Sequence, residues 1–139
     1  MEVGKVIYNI LSNDSNVSPL VSSGGITRIF PARYKFSEND PTLPFIVYQI
    51  VTSTPNNTKN GVSSYDYITA QITIVDSSYA NLITLSNHVR TALDYISGTF
   101  EGVEVDKIFF DNSIETFDQD SGTNGIYQIA QDYRFNINR

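Results

Sequence analysis

The groups that could do chemistry are few, and their spacing suits little of it. His88 is the one histidine. It stands one position before Val89, at the flank of an apolar stripe, with no sequence neighbour that completes a dyad. A residue at the boundary of a helix is the reading its setting favours over a ligand or a base. Asp118, Asp120 and Asn124 in "DQDSGTNG" offer oxygen atoms at alternating spacing. A calcium loop of the helix–loop–helix kind needs a third donor where Gly122 stands and a bidentate Glu later. Both are missing, so a hairpin turn is the better reading. Glu101, Glu104, Asp106, Asp111, Glu115, Asp118 and Asp120 place seven acids beside one base, Lys107. By residue type an acid/base pair stays open there, but no spacing singles out two of them. "SSGG" at 22–25 lacks the lysine and the strand–loop–helix setting of a phosphate loop. The chain has no cysteine, which excludes disulfides, thiolate metal sites and cysteine nucleophiles. No catalytic residue, metal site or cofactor is expected.

Composition bounds the rest. The 139 residues, 40% of them hydrophobic, suit one domain with a real core, taken as residues 1–139. Only 17% are charged, against about 25% in ordinary soluble domains. A surface built from Ser, Thr, Asn, Gln and Tyr is cheap to cover with another protein, because few ions must be desolvated. The net charge of −6 falls wholly within 101–120. That argues against nucleic-acid binding by phosphate neutralisation. The N-terminal "MEVGKVIYNIL" lacks the basic-then-apolar pattern of a signal peptide. No stretch approaches the 18 or so apolar residues of a membrane span.

Periodicity supplies the elements. Val3, Val6, Ile7, Ile10 and Leu11 give an amphipathic helix that ends near "SNDSN". Ile26 to Phe30 reads as a short strand stopped by Pro31, and 32–43 as a loop. "FIVYQIV", Phe45 to Val51, is apolar on both faces and reads as a central strand. The polar stretch "STPNNTKNGVSS" carries an Asn60-Gly61 hairpin signal, with a partner strand from Tyr65 to Val75. Ile68, Ala70, Ile72 and Ile74 share that strand's apolar face. Asp76 or Ser77 is placed as the cap of a second helix whose stripe is Leu82, Leu85, Ser86, Val89, Ala92, Leu93 and Ile96. Gly98 is read as its C-terminal glycine. Val103 to Phe110 follows as a strand bulged at Asp106-Lys107. Tyr127, Ile129, Gln131, Tyr133, Phe135 and Ile137 alternate along the last strand. The pattern predicts an α+β domain: a mainly antiparallel sheet, two amphipathic helices on one face and an extended β-hairpin.

Ordered pieces of this pattern resemble the tail-completion family of tailed bacteriophages, the small proteins that terminate the tail tube. That family carries "R-V-Y-P" near residue 30, then a strand of the type "LPYVVYQ". A segment "S-Y-x-E-A-x-x-L-A-x-x-V-R-x-A-L" and a closing "D-Y-x-V" strand follow. This chain matches at Arg28, Phe30 and Pro31, at Leu43 to Gln49 ("LPFIVYQ"), and at Ser78-Tyr79-Ala80, Leu85, Val89-Arg90 and Ala92-Leu93. It matches again at Asp132-Tyr133. It departs in Phe30 for the usual Tyr, a longer 32–43 loop and the acidic 99–125 region.

The resemblance implies a structural virion protein, assembled in the host cytoplasm, and no enzyme. Copies would form a ring, usually of six, that caps the tail tube, stops its polymerisation and meets the connector or stopper proteins of the head–neck complex. DNA would pass through the lumen without specific binding, and no membrane would be involved. On that reading Arg33, Tyr34, Lys35, Asn57, Lys59 and Asn60 are the candidate inter-subunit, tube or neck contacts. Glu115, Asp118 and Asp120 are candidate lumen-facing acids that would repel DNA. Two other readings stay open: a head-completion or connector-joining neck ring, and a monomeric ligand-binding or hydrolytic domain using the acidic 101–120 segment.

Overall fold

The structure, a computed structural model, describes residues 3–31, 43–55, 65–118 and 125–138. Helix α1 (Val3–Asn13) buries Val3, Val6, Ile7 and Leu11, the stripe its periodicity predicts. Asp14 ends it: Oδ1 accepts from the backbone N–H of Asn16 (2.9 Å) and Val17 (3.0 Å), turning the chain by an Asx turn. A single helical turn, α2 (Ser18–Val21), follows with Pro19 in its first positions, where the missing N–H costs nothing. The expected strand at 26–30 divides in two. β1 (Ser22–Ser23) and β2 (Ile26–Thr27) form a small hairpin of their own about Gly24 and Gly25, both at positive φ. β3 (Ile29–Pro31) joins the main sheet.

That sheet adds β4 (Phe45–Pro55), β5 (Tyr65–Asp76), β6 (Gly98–Phe100), β7 (Val103–Asp118) and β8 (Ile126–Asn138), in the order β3-β4-β5-β8-β7-β6. β3 runs parallel to β4 and every other pair is antiparallel. One face carries the core. Ile29, Ile46, Ile74 and Ile129 stand side by side across four strands, all buried. Ile108, Phe135 and Ile68 form a second buried row. Each fully buried Ile or Phe contributes about 1.5–3 kcal/mol of transfer free energy. α1 and α3 (Tyr79–Leu93) cover these rows and share one cluster with them. The α+β architecture with both amphipathic helices on one face is as the pattern predicts; the one-turn α2 is additional.

Three local expectations change. Ser78, not Asp76 or Ser77, caps α3, its side chain accepting from the Asn81 N–H at 3.4 Å. The buried Asp76 instead accepts from the N–H of Ser77 at 2.7 Å and shapes the approach to the cap. Gly98 does not close α3; the helix stops at Leu93, Tyr95 takes a positive φ of 62°, and Gly98 opens β6. β4 is not a fully central strand. β3 flanks only Ile46–Tyr48, and residues 51–55 are exposed.

Candidate interface surfaces

The sheet leaves two stretches of edge without a strand neighbour among the described residues. On one side β4 outruns β3, so Gln49–Pro55 is bordered by β5 alone. On the other, β6 and the backbone bonds of Tyr95 and Ile96 to Ile108 flank β7 only as far as Ile108. The Phe110 N–H is taken by Asp94 Oδ1 at 3.1 Å. From Asp111 to Asp118, β7 is bordered by β8 alone. This is the second half of the acidic segment. It is strand throughout, and its residues 111–117 are exposed.

An aromatic cleft of about 210 Å³ opens on the helix side of that edge, lined by Tyr79, Leu82, Glu115, Phe117 and Tyr127 among others. Tyr79 meets Tyr127 edge-on at 5.3 Å, and Phe117 lies 4.6 Å from Tyr127. The Tyr79 hydroxyl donates to Glu115 Oε2 at 2.9 Å. That hydrogen bond and the carboxylate charge hold the phenol above its ordinary pKa. Ile114, 61% exposed, and Phe117, 49% exposed, leave apolar surface on the edge itself. Sequence reasoning misses this cleft, because Tyr79, Phe117 and Tyr127 belong to three separate elements and no local period links them.

The expected site residues fall in different places. Glu115 is exposed on β7 and engaged with Tyr79. Asp118 ends β7 by its backbone; its side chain, together with Asp120, lies outside the described residues. Arg33, Tyr34, Lys35, Asn57, Lys59 and Asn60 also lie outside them. His88 is half-buried on α3. Among the described residues no group of three or more His, Asp or Glu side chains is placed to hold a metal ion, and no helix is long and apolar enough to cross a membrane.

Arg28, a residue of the motif, is a structural tie. It is buried, and its guanidinium donates to the Pro44 carbonyl (2.9 Å), Ser23 Oγ (2.6 Å) and the Leu20 carbonyl (3.5 Å). It thereby fastens α2, β1 and the entry to β4. Gln131 does the same for α3. Its amide donates to the Ser86 carbonyl at 3.1 Å and accepts from the buried Tyr133 hydroxyl at 2.7 Å. Burial, then the nearby Asp94 charge, pushes the Tyr133 phenol up, against the opposing Arg90.

The fold is one found in a virion particle. It superposes on a chain of the structure titled "Virion of native gene transfer agent (GTA) particle" with a TM-score of 0.66 and 14% identity, covering 96% of this chain and 92% of that one. No curated protein matches the sequence. Residues 5–137 match the family model described as "Tail completion protein gp17", and the chain belongs to that family of structural tail-completion proteins.

Proposed function

We propose that the protein is a tail terminator: copies, six in the form the resemblance implies, close into a ring on the last ring of the tail tube. The ring halts tube polymerisation and presents a surface to the connector or stopper proteins of the head–neck complex, with no reaction catalysed. The observation that carries this reading is the family match along nearly the whole chain. The exposed outer arm of β4, residues 51–55, supports it, since it leads in sequence into residues 56–64, which carry the Asn60-Gly61 turn signal. In this reading the tip, with Asn57, Lys59 and Asn60, and the 32–42 segment, with Arg33, Tyr34 and Lys35, meet the tube or a neighbouring copy. Glu115, Asp118 and Asp120 give the lumen a negative lining that DNA slides past.

The test is growth of tail tubes in vitro. Adding the protein should arrest elongation. Deleting Asn57 to Asn60 should leave a folded protein that no longer arrests it, and normal arrest by the deletion would overturn the tip assignment. Replacing Glu115, Asp118 and Asp120 together by Gln and Asn should slow DNA passage and leave ring assembly intact. Loss of assembly would instead make these acids contact residues.

A further inference from the structure

The sheet face turned away from the helices carries a group of side chains that the terminator reading does not use. On β8, Ile129, Gln131, Tyr133, Phe135 and Ile137 are buried on the helix side. Asp132, Arg134 and Asn136, which alternate with them, therefore belong to the other face. On β7 the register slips between Val105 and Lys107, leaving Asp106 as an extra residue. Such a bulge exchanges the faces of the residues beyond it. It sends Ile108 into the core beside Phe135, and it turns Lys107 and Phe109 out beside Asn136 and Arg134. Without the slip Lys107 would enter the core and Ile108 would face water.

Both cations are held over aromatic rings. The Arg134 guanidinium lies 5.0 Å from the centre of the Phe109 ring, and the Lys107 ammonium 5.9 Å from that of Tyr95. The two rings meet edge-on at 5.6 Å. Tyr95, 66% exposed, is set there by its positive φ of 62° and by its N–H bond to the Ile108 carbonyl at 2.7 Å. Among the described residues neither Lys107 nor Arg134 has an ion-pair partner, in a chain of net charge −6. Arg90 differs: it lies over Phe110 and is paired with Asp94. Asn136 has its Oδ1 buried without a hydrogen-bond partner, which leaves the amide N–H groups as its outward end.

We propose that Lys107, Arg134 and Asn136 form a docking point for one carboxylate, an Asp or Glu side chain of a partner protein. A guanidinium held over a ring keeps edge N–H groups for two parallel bonds to a carboxylate. Asn136 and Lys107 add donors beside it. The surroundings select a single anion over a row of them. Asp132, tied to Gln71 at 3.2 Å, stands one step beyond Arg134 on the same face. Glu104, opposite Asn138, and Asp106, which accepts from the Tyr65 hydroxyl, stand at the other end. Same-face steps along a strand are about 7 Å, so acids flank the cations on both sides. Duplex DNA, with a charge every ~1.7 Å of its axis, would set further phosphates against those acids. A lone carboxylate with neutral neighbours meets no such repulsion. The contact does not depend on whether copies close into a ring.

The test is an NMR titration of the isotope-labelled full chain, following the Arg134 Nε–H and Asn136 side-chain amide signals. The probes are the end-blocked peptide Gly-Ser-Glu-Ser-Gly, its Gln counterpart, inorganic phosphate and a short DNA duplex. The Glu peptide should shift both signals saturably, and the Gln peptide should not. Arg134→Ala and Lys107→Met, at positions facing away from the core, should each weaken binding about tenfold and leave the core signals in place. No saturable shift with the Glu peptide, or equal shifts with the Gln peptide, would overturn the inference. Stronger shifts with phosphate or DNA would overturn it as well, making the patch a phosphate contact. Arrest of tube growth is read separately, so failure here leaves the terminator reading standing.

Discussion

At the residue scale, a few polar groups bear more than their number suggests. Arg28 holds three acceptors on three segments, and its planar fork suits that task better than an ammonium. Arg28→Ala should cost about 1–3 kcal/mol, since it leaves buried acceptors unpaired. Arg28→Lys should restore only part of the loss, both measured by urea unfolding. The motif made Arg28 visible in the sequence, but not its role, because Leu20, Ser23 and Pro44 have no regular spacing from it. Tyr65 makes stability sensitive to alkali. Its hydroxyl donates to Asp106, and that bond, more than burial or the neighbouring acids, raises its pKa to about 12. The unfolded phenol titrates near 10. The proton is thus held more tightly in the folded chain, and the stabilisation is complete below pH ~10 and lost as pH rises towards ~12. Melting temperature should fall over that window, and Tyr65→Phe should fall less steeply. Equal slopes for the two proteins would contradict the assignment.

At the element scale, legibility followed burial. The stripes of α1 and α3 and the alternation of β5 and β8 were readable because each buries one face, which imposes a 3.6- or 2-residue period. The second half of β7 was not, because Asp111 to Phe117 are exposed on both faces and no period is imposed. β4 misled for a related reason. Its apolar start is buried, while the exposed arm beyond Gln49 is set by pairing with β5 rather than by its own pattern. The β7 edge also depends on a glycine. Gly125 has φ +91°, and a Cβ there would lie 2.3 Å from Phe117 Cζ. Gly125→Ala should therefore cost about 1–3 kcal/mol in backbone strain. It should also push the Phe117 ring off Tyr127, visible as shifted aromatic NMR signals. Unmoved signals would show that the cleft does not depend on this close approach.

At the scale of the whole molecule, the sequence was quiet about chemistry and informative about surfaces. Its low charge and its Tyr, Asn and Thr content read as a surface suited to being covered. The structure adds where strand edges lie without a strand neighbour among the described residues. The partner-contact residues expected from sequence fall mainly in 32–42 and 56–64, while the features that organise the described surface are backbone edges, which carry no residue signature. The most direct measurement is electron cryo-microscopy of tail tubes grown with the protein present. The account predicts tubes of arrested length, each with one closed ring of this chain on the growing end. Bare ends on tubes that keep lengthening would contradict it.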